Sequence, residues 1–481
     1  MCSSPILPRH AWNKNGVGVQ SECGKLDVVL MHRPGQELRR LTKTNIEQLL
    51  FDAVPDVNQT QKSHDAFVKC LRTNGVHVLY MKDLLTQTLV NSYDACQTLI
   101  DGIISNYSLK SKRQQELLTA VRQWLGNRTA KQLADDIVHG VTRTHHELGS
   151  SAAAQTIFKE TNSDTEFIIP PLPNLLFSRD AFSVIEKNVF IWNMAKPARR
   201  NEPLIYRVIF QYHPQLSTSG LKIVEWQTTI AEQQMATVEG GDVAYLGQGI
   251  LMIGCGERTN RLAIEALART GVFEQIIAVM IPPQRDYMHL DTVLSSVGKN
   301  AFTLHGPLAY KMDVFTVETH DDNNNKFINP KWILYGCDVR AALRKLLNNN
   351  SLRFYDAVDE ATSIEEQREC RHNVVAIDDY HVVTYAGGNP EKGIVNQMTR
   401  NGACSVDVIP SQEEQRECRH NVVAIDDYHV VTYAGGNPEK GIVNQMTRNG
   451  ACSVDVIPSQ GLLEGGGGAH CMTNAIRRRS E

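Results

Sequence analysis

Four stretches of this chain carry residues that could do chemistry. The last is GGGGAHCMTN at 465–474, where four glycines run into His470 and Cys471. A glycine run lets backbone approach a ligand closely, and a cysteine at its end is a nucleophile candidate. A lone cysteine near a C-terminus can equally be inert. MHLDTVLS (288–295) sets His289 and Asp291 two residues apart. On a strand they share a face while Met288 and Leu290 point the other way, which makes an acid–base pair or a satisfied core histidine. VEGGDVAYLGQGILMIGCGERT (238–259) puts Glu239 and Asp242 around two glycines, a close-approach turn between carboxylates or an ordinary tight turn. PPLPNLLFSRD (170–180) is a rigid proline turn delivering Phe177, Arg179 and Asp180, and alone it reads as a surface loop with an aspartate cap. Each signal is weak singly. Together they supply a thiol, an imidazole and several carboxylates, a set suited to nucleophilic attack on a cationic substrate.

The elements that must position these residues read as α/β. KLDVVLMHRPG (25–35) is a strand leaving into a Pro-Gly loop, TNIEQLL and TQKSHDAFVKCLRTNG are helical, and VHVLYM is again a strand. From about 83 to 150 the spacing is helical with almost no strand signal, which predicts an all-helical insertion. Beyond it strands and helices alternate, with hairpin pairs that argue against a simple doubly wound sheet. No glycine-rich phosphate loop is present, so nucleotide cofactors are not indicated.

Residues 365–412 recur without one difference at 413–460. Repeat arrays keep core and turn positions and let exposed ones drift. Identity at every position points to a tandem duplication. Each copy reads as ββαβ, with strands in NVVAI and HVVTYAG, a helix in GIVNQMTRNG and a strand in SVDVIP. The triplets Cys370-Arg-His372 and Cys418-Arg-His420 lack the ligand spacing of a zinc site.

Composition narrows the class. The 481 residues are 42% hydrophobic and 21% charged, with a formal charge of −4. That balance argues against nucleic acid or an anionic membrane as the main partner. No apolar run approaches the roughly 18 residues of a membrane helix. Residues 1–20 read as a flexible extension without a secretory core. Arg9 and Lys14, with no acid before Glu22, leave an organelle presequence open. Eleven scattered cysteines read as reduced thiols in a cytoplasmic protein.

SECGKLDVVLMHRPGQELRRLTKTNIEQLLFDAVP, MAKPARRNEP, EGGD, GERT and MHLDTV follow one another in an order that resembles the arginine deiminase family of guanidino-modifying enzymes. The helical insertion after VHVLYMKDLL belongs to the same likeness, which spans about residues 20 to 478. The resemblance implies a five-fold pseudosymmetric α/β propeller of ββαβ modules over 21–481, with one copy of the duplicate superfluous. It implies hydrolysis of L-arginine to L-citrulline and ammonia, with no metal or organic cofactor, in a homo-oligomer. By motif position Cys471 is the nucleophile, Asp180 and Asp291 grip the guanidinium, and His289, backed by Glu239, moves the protons. Arg199 and Arg258 take the substrate carboxylate, and Asn174 and Phe177 line the pocket. The chemistry agrees, because a guanidinium is always charged and two carboxylates offer it planar, bidentate hydrogen bonds. The alternatives are another guanidino-modifying enzyme or an inactive relative with a binding role. Two features depart from the family pattern. Gly466 stands where relatives carry an arginine, so weaker substrate capture is expected. A closed ring of five modules has no slot for the second copy, so one copy is expected to dock and the other to loop out.

Overall fold

The computed structural model describes residues 17–22, 25–73, 75–106, 112–142, 166–298, 300–319, 330–355 and 363–364, the strand segments 375–378, 381–383, 406–407, 423–426, 429–434 and 453–458, and residues 471–479. One unit recurs: an antiparallel hairpin, a helix, and a third strand parallel to the second. Phe182–Ile185 and Asn188–Ile191 form such a hairpin, followed by the helix Glu202–Tyr212 and the parallel strand Lys222–Ile223. Val243–Gly247, Ile250–Cys255, the helix Arg261–Arg269 and Gln275–Met280 repeat the pattern. Leu294–Gly298, Ala301–Leu304, the helix Val339–Leu346 and Arg353–Tyr355 repeat it again. Within that third unit, Val314–Glu318 and Lys331–Gly336 turn back to extend the sheet of the second.

A further unit is assembled from both ends of the chain. Asn474–Arg479 pairs antiparallel with Lys25–Met31, the helix Val57–Thr73 follows, and His77–Tyr80 lies parallel to Lys25–Met31. Gly18–Val19 adds a parallel partner on the other side of Asn474–Arg479. Val17 and Val19 are buried, so the extension expected over residues 1–20 is already part of the core by Val17.

Local sequence accounts for these elements. Val243–Gly247 alternates buried and half-buried positions, as a strand with one covered face must. Arg261–Arg269 turns Ala263, Ile264, Ala266, Leu267 and Ala268 inward. Its Asn260 side chain accepts the Ala263 N–H at 3.0 Å, a cap whose loss costs about 1 kcal/mol. Over the stretch expected to be all-helical, about 83 to 150, the helices are Met81–Asn91, Tyr93–Ser105, Lys112–Gly126 and Ala130–His139, starting directly off the strand His77–Tyr80; Val141–Thr142 is instead a strand paired with Phe167–Ile169, and 143–150 lie outside the described residues. The helices share one core with the first hairpin unit: Leu85, Leu99, Ile103 and Ile137 join Phe182, Tyr206 and Ile209. A side chain at Gly102 would sit 2.4 Å from Leu204 Cδ2, so glycine permits the close approach of the two helices.

Three sequence expectations change. TNIEQLL is a series of turns, because Leu50 adopts φ 66° and the Phe51 N–H returns to Ile46 O. His289 is extended, but Leu290–Thr292 is a 3-10 turn and the strand starts only at Leu294. The third concerns the duplicate. In both copies the hairpin register is the same, Val375 opposite Val383 and Val423 opposite Val431. Val375–Asp378 touches Leu294–Gly298 and Val423–Asp426, which in turn touches Lys25–Met31. The described strands of both copies therefore stand in succession, where one copy was expected to loop out. Identical strands offer identical edges, so nothing in their chemistry prefers one copy over the other. The predicted helix of each copy and the two Cys-Arg-His triplets lie outside the described residues.

Candidate active site

The proline turn of 170–180 folds as the 3-10 helix Pro173–Leu176, closed by the Phe177 N–H on Asn174 O at 2.9 Å. Asn174 is buried and its Nδ2 donates to Leu49 O at 2.8 Å. Phe177 is buried beside Phe51. The turn leaves the carbonyls of Asn174 and Phe177 facing Arg199, whose Nη2 donates to them at 3.2 and 3.1 Å. Arg199 Nη1 donates to Asp180 Oδ2 at 2.6 Å, and its Nε and Nη2 reach Glu202. Asp180 Oδ1 accepts the Gly241 N–H at 3.1 Å. The first carboxylate is thus fixed by an arginine from the far end of its own hairpin and by backbone from the next unit.

The second unit supplies Glu239. Its Oε2 accepts from His289 Nε2 at 2.9 Å and from Arg258 Nη1 at 3.0 Å, and the Ala195 N–H reaches Oε1 at 3.3 Å. Two glycines make this possible. A side chain at Gly240 would lie 2.1 Å from Arg179 O, and one at Gly241 would lie 2.6 Å from the His289 ring. The reading of EGGD as a close-approach turn therefore holds, and Gly241 is where the imidazole rests. Arg258 Nε is buried without a hydrogen-bond partner among the described residues, its nearest carboxylate being Glu257 Oε1 at 4.0 Å.

Charge sets the protonation of this group. Burial alone would lower the His289 pKa, but Asp180, the Glu239 hydrogen bond and Asp242 outweigh it and push it up to about 10. The ring is an imidazolium, and Nε2–H donates to Glu239. Burial would raise Asp180 and Glu239, yet His289 and the arginines hold both below the usual carboxylate range. For Asp291 the balance tips the other way: burial, with Asp180 adding to it, outweighs the pull of His289 and Arg179 and pushes it up to about 6. The oxygens of Asp180 and Glu239 and a nitrogen of His289 lie within 4.8 Å of one another, a spacing that could close on a metal ion. Arg199 and Arg258 already donate to the same two carboxylates, so that place carries positive charge of its own.

Cys471 is half-buried, and its carbonyl accepts the Arg179 N–H at 3.2 Å. Ser178 Oγ donates to Met472 O at 2.9 Å. Asn474 Nδ2 donates to the carbonyls of Ser178, Arg179 and Phe182 at 3.0, 3.3 and 2.7 Å. One backbone bond and the side chains of Ser178 and Asn474 thus stitch the segment carrying the cysteine alongside Asp180. Gly465–Gly468 lie outside the described residues. Sequence reasoning missed Glu202 and Asn474. Glu202 stands three residues after Arg199, an ion-pair spacing. Asn474 had no local signal at all.

Comparison with known proteins follows the same residues. The sequence model described as arginine deiminase matches residues 47–389 and 396–478. An arginine deiminase from Rhodococcus opacus is 35% identical over 376 residues, covering 77% of this chain and 87% of that protein. One from Clostridium perfringens is 29% identical over 378 residues, covering 77% and 88%. A solved amidinotransferase of saxitoxin biosynthesis from Microseira wollei overlays 97% of this chain and 98% of its own, at 13% identity and a TM-score of 0.45, too loosely to carry an argument. With the match running over most of the length and through every stretch that builds the buried carboxylate–imidazole cluster, the chain belongs to the arginine deiminase family.

Proposed function

We propose that this protein hydrolyses L-arginine to L-citrulline and ammonia through a covalent intermediate on Cys471. The observation that carries the reading is the buried Asp180–Glu239–His289 cluster beside the segment that bears the cysteine. Asp180 and Asp291 grip the planar guanidinium. Arg258, whose Nε–H has no partner among the described residues, takes the substrate carboxylate; Arg199, given the same task by motif position, already spends its donors on Asp180, Glu202 and two carbonyls and serves to hold Asp180, while Asn174 and Phe177 line the approach. Cys471 Sγ attacks the guanidinium carbon as thiolate and forms the S–C bond. The C–N bond breaks and His289, charged at rest, gives its proton to the departing ammonia. A thiouronium remains. His289, now neutral, takes a proton from water, the hydroxide adds to the same carbon, the C–S bond breaks to return the thiolate, and the hydroxyl proton passes to solvent as citrulline leaves.

Three hairpin units, the unit built from both ends of the chain and one copy of the duplicate would make the five modules of a propeller around this cluster, and the other copy, which also stands in the succession, is a sixth and superfluous one. The family likeness supports a homo-oligomer. The test is citrulline formation by the full chain, by Cys471→Ser, and by a chain lacking residues 413–460. Turnover in the first and third with loss of at least about a thousandfold in the serine variant is the expected result. Silence in both folded cysteine-bearing forms overturns the reading and favours the binding-protein alternative, which Gly466 motivates.

A further inference from the structure

His289 meets Glu239 from another loop, and something must hold the two loops in register. The groups that bridge them lie behind the cluster. Asp242 Oδ1 accepts the Leu290 N–H at 2.8 Å, fixing the backbone between His289 and Asp291. Its Oδ2 accepts the Thr259 hydroxyl at 2.6 Å, and that same oxygen of Thr259 accepts the Glu239 N–H at 3.2 Å. Asp242, Thr259 and Leu290 are all fully buried. The path runs Glu239 N–H to Thr259 hydroxyl to Asp242 carboxylate, and Leu290 N–H donates to that carboxylate from the other side, so both loops converge on Asp242. Room for it depends on Gly254, where a side chain would lie 2.5 Å from Asp242 Oδ1 and 3.0 Å from Leu290 Cβ.

We propose that Thr259 and Asp242 are positioning residues that set the distance between His289 and Glu239, with the Thr259 hydroxyl as the joint between the two loops. The hydroxyl has one proton and uses it on Asp242, so its lone pair must serve Glu239. No apolar side chain of the same shape can do both. Burial, with Glu239 adding to it, also raises the Asp242 pKa to about 7, so its bond to a hydroxyl that can donate or accept survives either protonation state. A misplacement of the imidazole by about 1 Å is enough to cost on the order of a hundredfold in rate.

The test uses the full-length protein and rests on the deiminase reading only for its kinetic arm. Thr259→Val removes the hydroxyl at constant shape, and Thr259→Ser keeps it. The expected result is a kcat lowered at least about tenfold in Thr259→Val, with KM and the serine variant's kcat within about threefold of the parent. The second readout is the NMR titration of 13C-labelled His289, which shifts toward the ordinary histidine range in Thr259→Val and stays in place in Thr259→Ser. A valine variant with parental kcat and parental titration overturns the proposal, as does a serine variant that falls as far as valine. If the valine variant fails to fold, Thr259→Ala replaces it: it also removes the hydroxyl, and a parental kcat with a parental titration there overturns the joint. If the parent makes no citrulline, the deiminase reading has failed, and the histidine titration alone decides the positioning role.

Discussion

Two arginines stand nineteen residues after two buried carboxylates, Arg199 after Asp180 and Arg258 after Glu239. Each pair spans one hairpin of the recurring unit. The two are not equivalent. Arg199 is held on every side by Asp180, Glu202 and two carbonyls. Among the described residues Arg258 bonds Glu239 alone and keeps a buried donor unused. The same spacing thus yields a fixed support in one unit and an open hand in the other. The added residue is Glu202, which Arg199 has at i+3. Arg258 has only the half-exposed Glu257, already committed to Lys196.

That difference can be broken. The largest effect is expected from Glu239→Gln, which strips His289 and Arg258 of their shared charge partner: kcat/KM should fall about a thousandfold in a citrulline assay. Next is the contrast between the arginines. Arg199→Met leaves Glu202 and Asp180 buried without their cation and should cost about 3 kcal/mol in urea unfolding, with activity lost alongside. Arg258→Met should leave unfolding nearly unchanged and act mainly as a raised KM. Equal stability losses in the two variants would erase the distinction. The acid limb of the pH profile comes third. Asp291 must ionise to grip the guanidinium and is pushed up to about 6, so kcat/KM should drop as pH falls through that value. On the other side, loss of the His289 proton near pH 10 should end the reaction. A profile flat from pH 5 to 8 would contradict the assignment of Asp291. The smallest effect is expected from Gly466→Arg, which should lower KM by about threefold to tenfold at constant kcat.

Local patterning made the repeating elements legible. The alternation of strands and helices with hairpin pairs was visible beyond the insertion, and the hairpin Val243–Gly247 with Ile250–Cys255 and the helix Arg261–Arg269 are part of it. The site was visible only in parts. His289 and Asp291 were placed on one face of a strand, and they belong to a turn. The reason lies 48 residues away, where Asp242 takes the Leu290 N–H that a strand ladder would use. The His289–Glu239 bond spans 50 residues, and no periodicity reports it. Only the order of motifs shared with a family brought those residues into one list. Asn474 reaches back 292 to 296 residues to tie down the cysteine's segment, a contact no window of sequence contains.

The strand that follows the cysteine carries one more consequence. Asn474–Arg479 lies between Gly18–Val19 and Lys25–Met31, so the seam that joins the two ends of the fold and the residue assigned as nucleophile are delivered by the same few residues. Translation must run past Cys471 and Asn474–Arg479 before either exists. Synthesis that stops early yields a product lacking both closure and thiol, and a protease that clips this tail removes both in one cut. On the proposed mechanism, a chain broken anywhere before Asn474–Arg479 is both inactive and open at the seam.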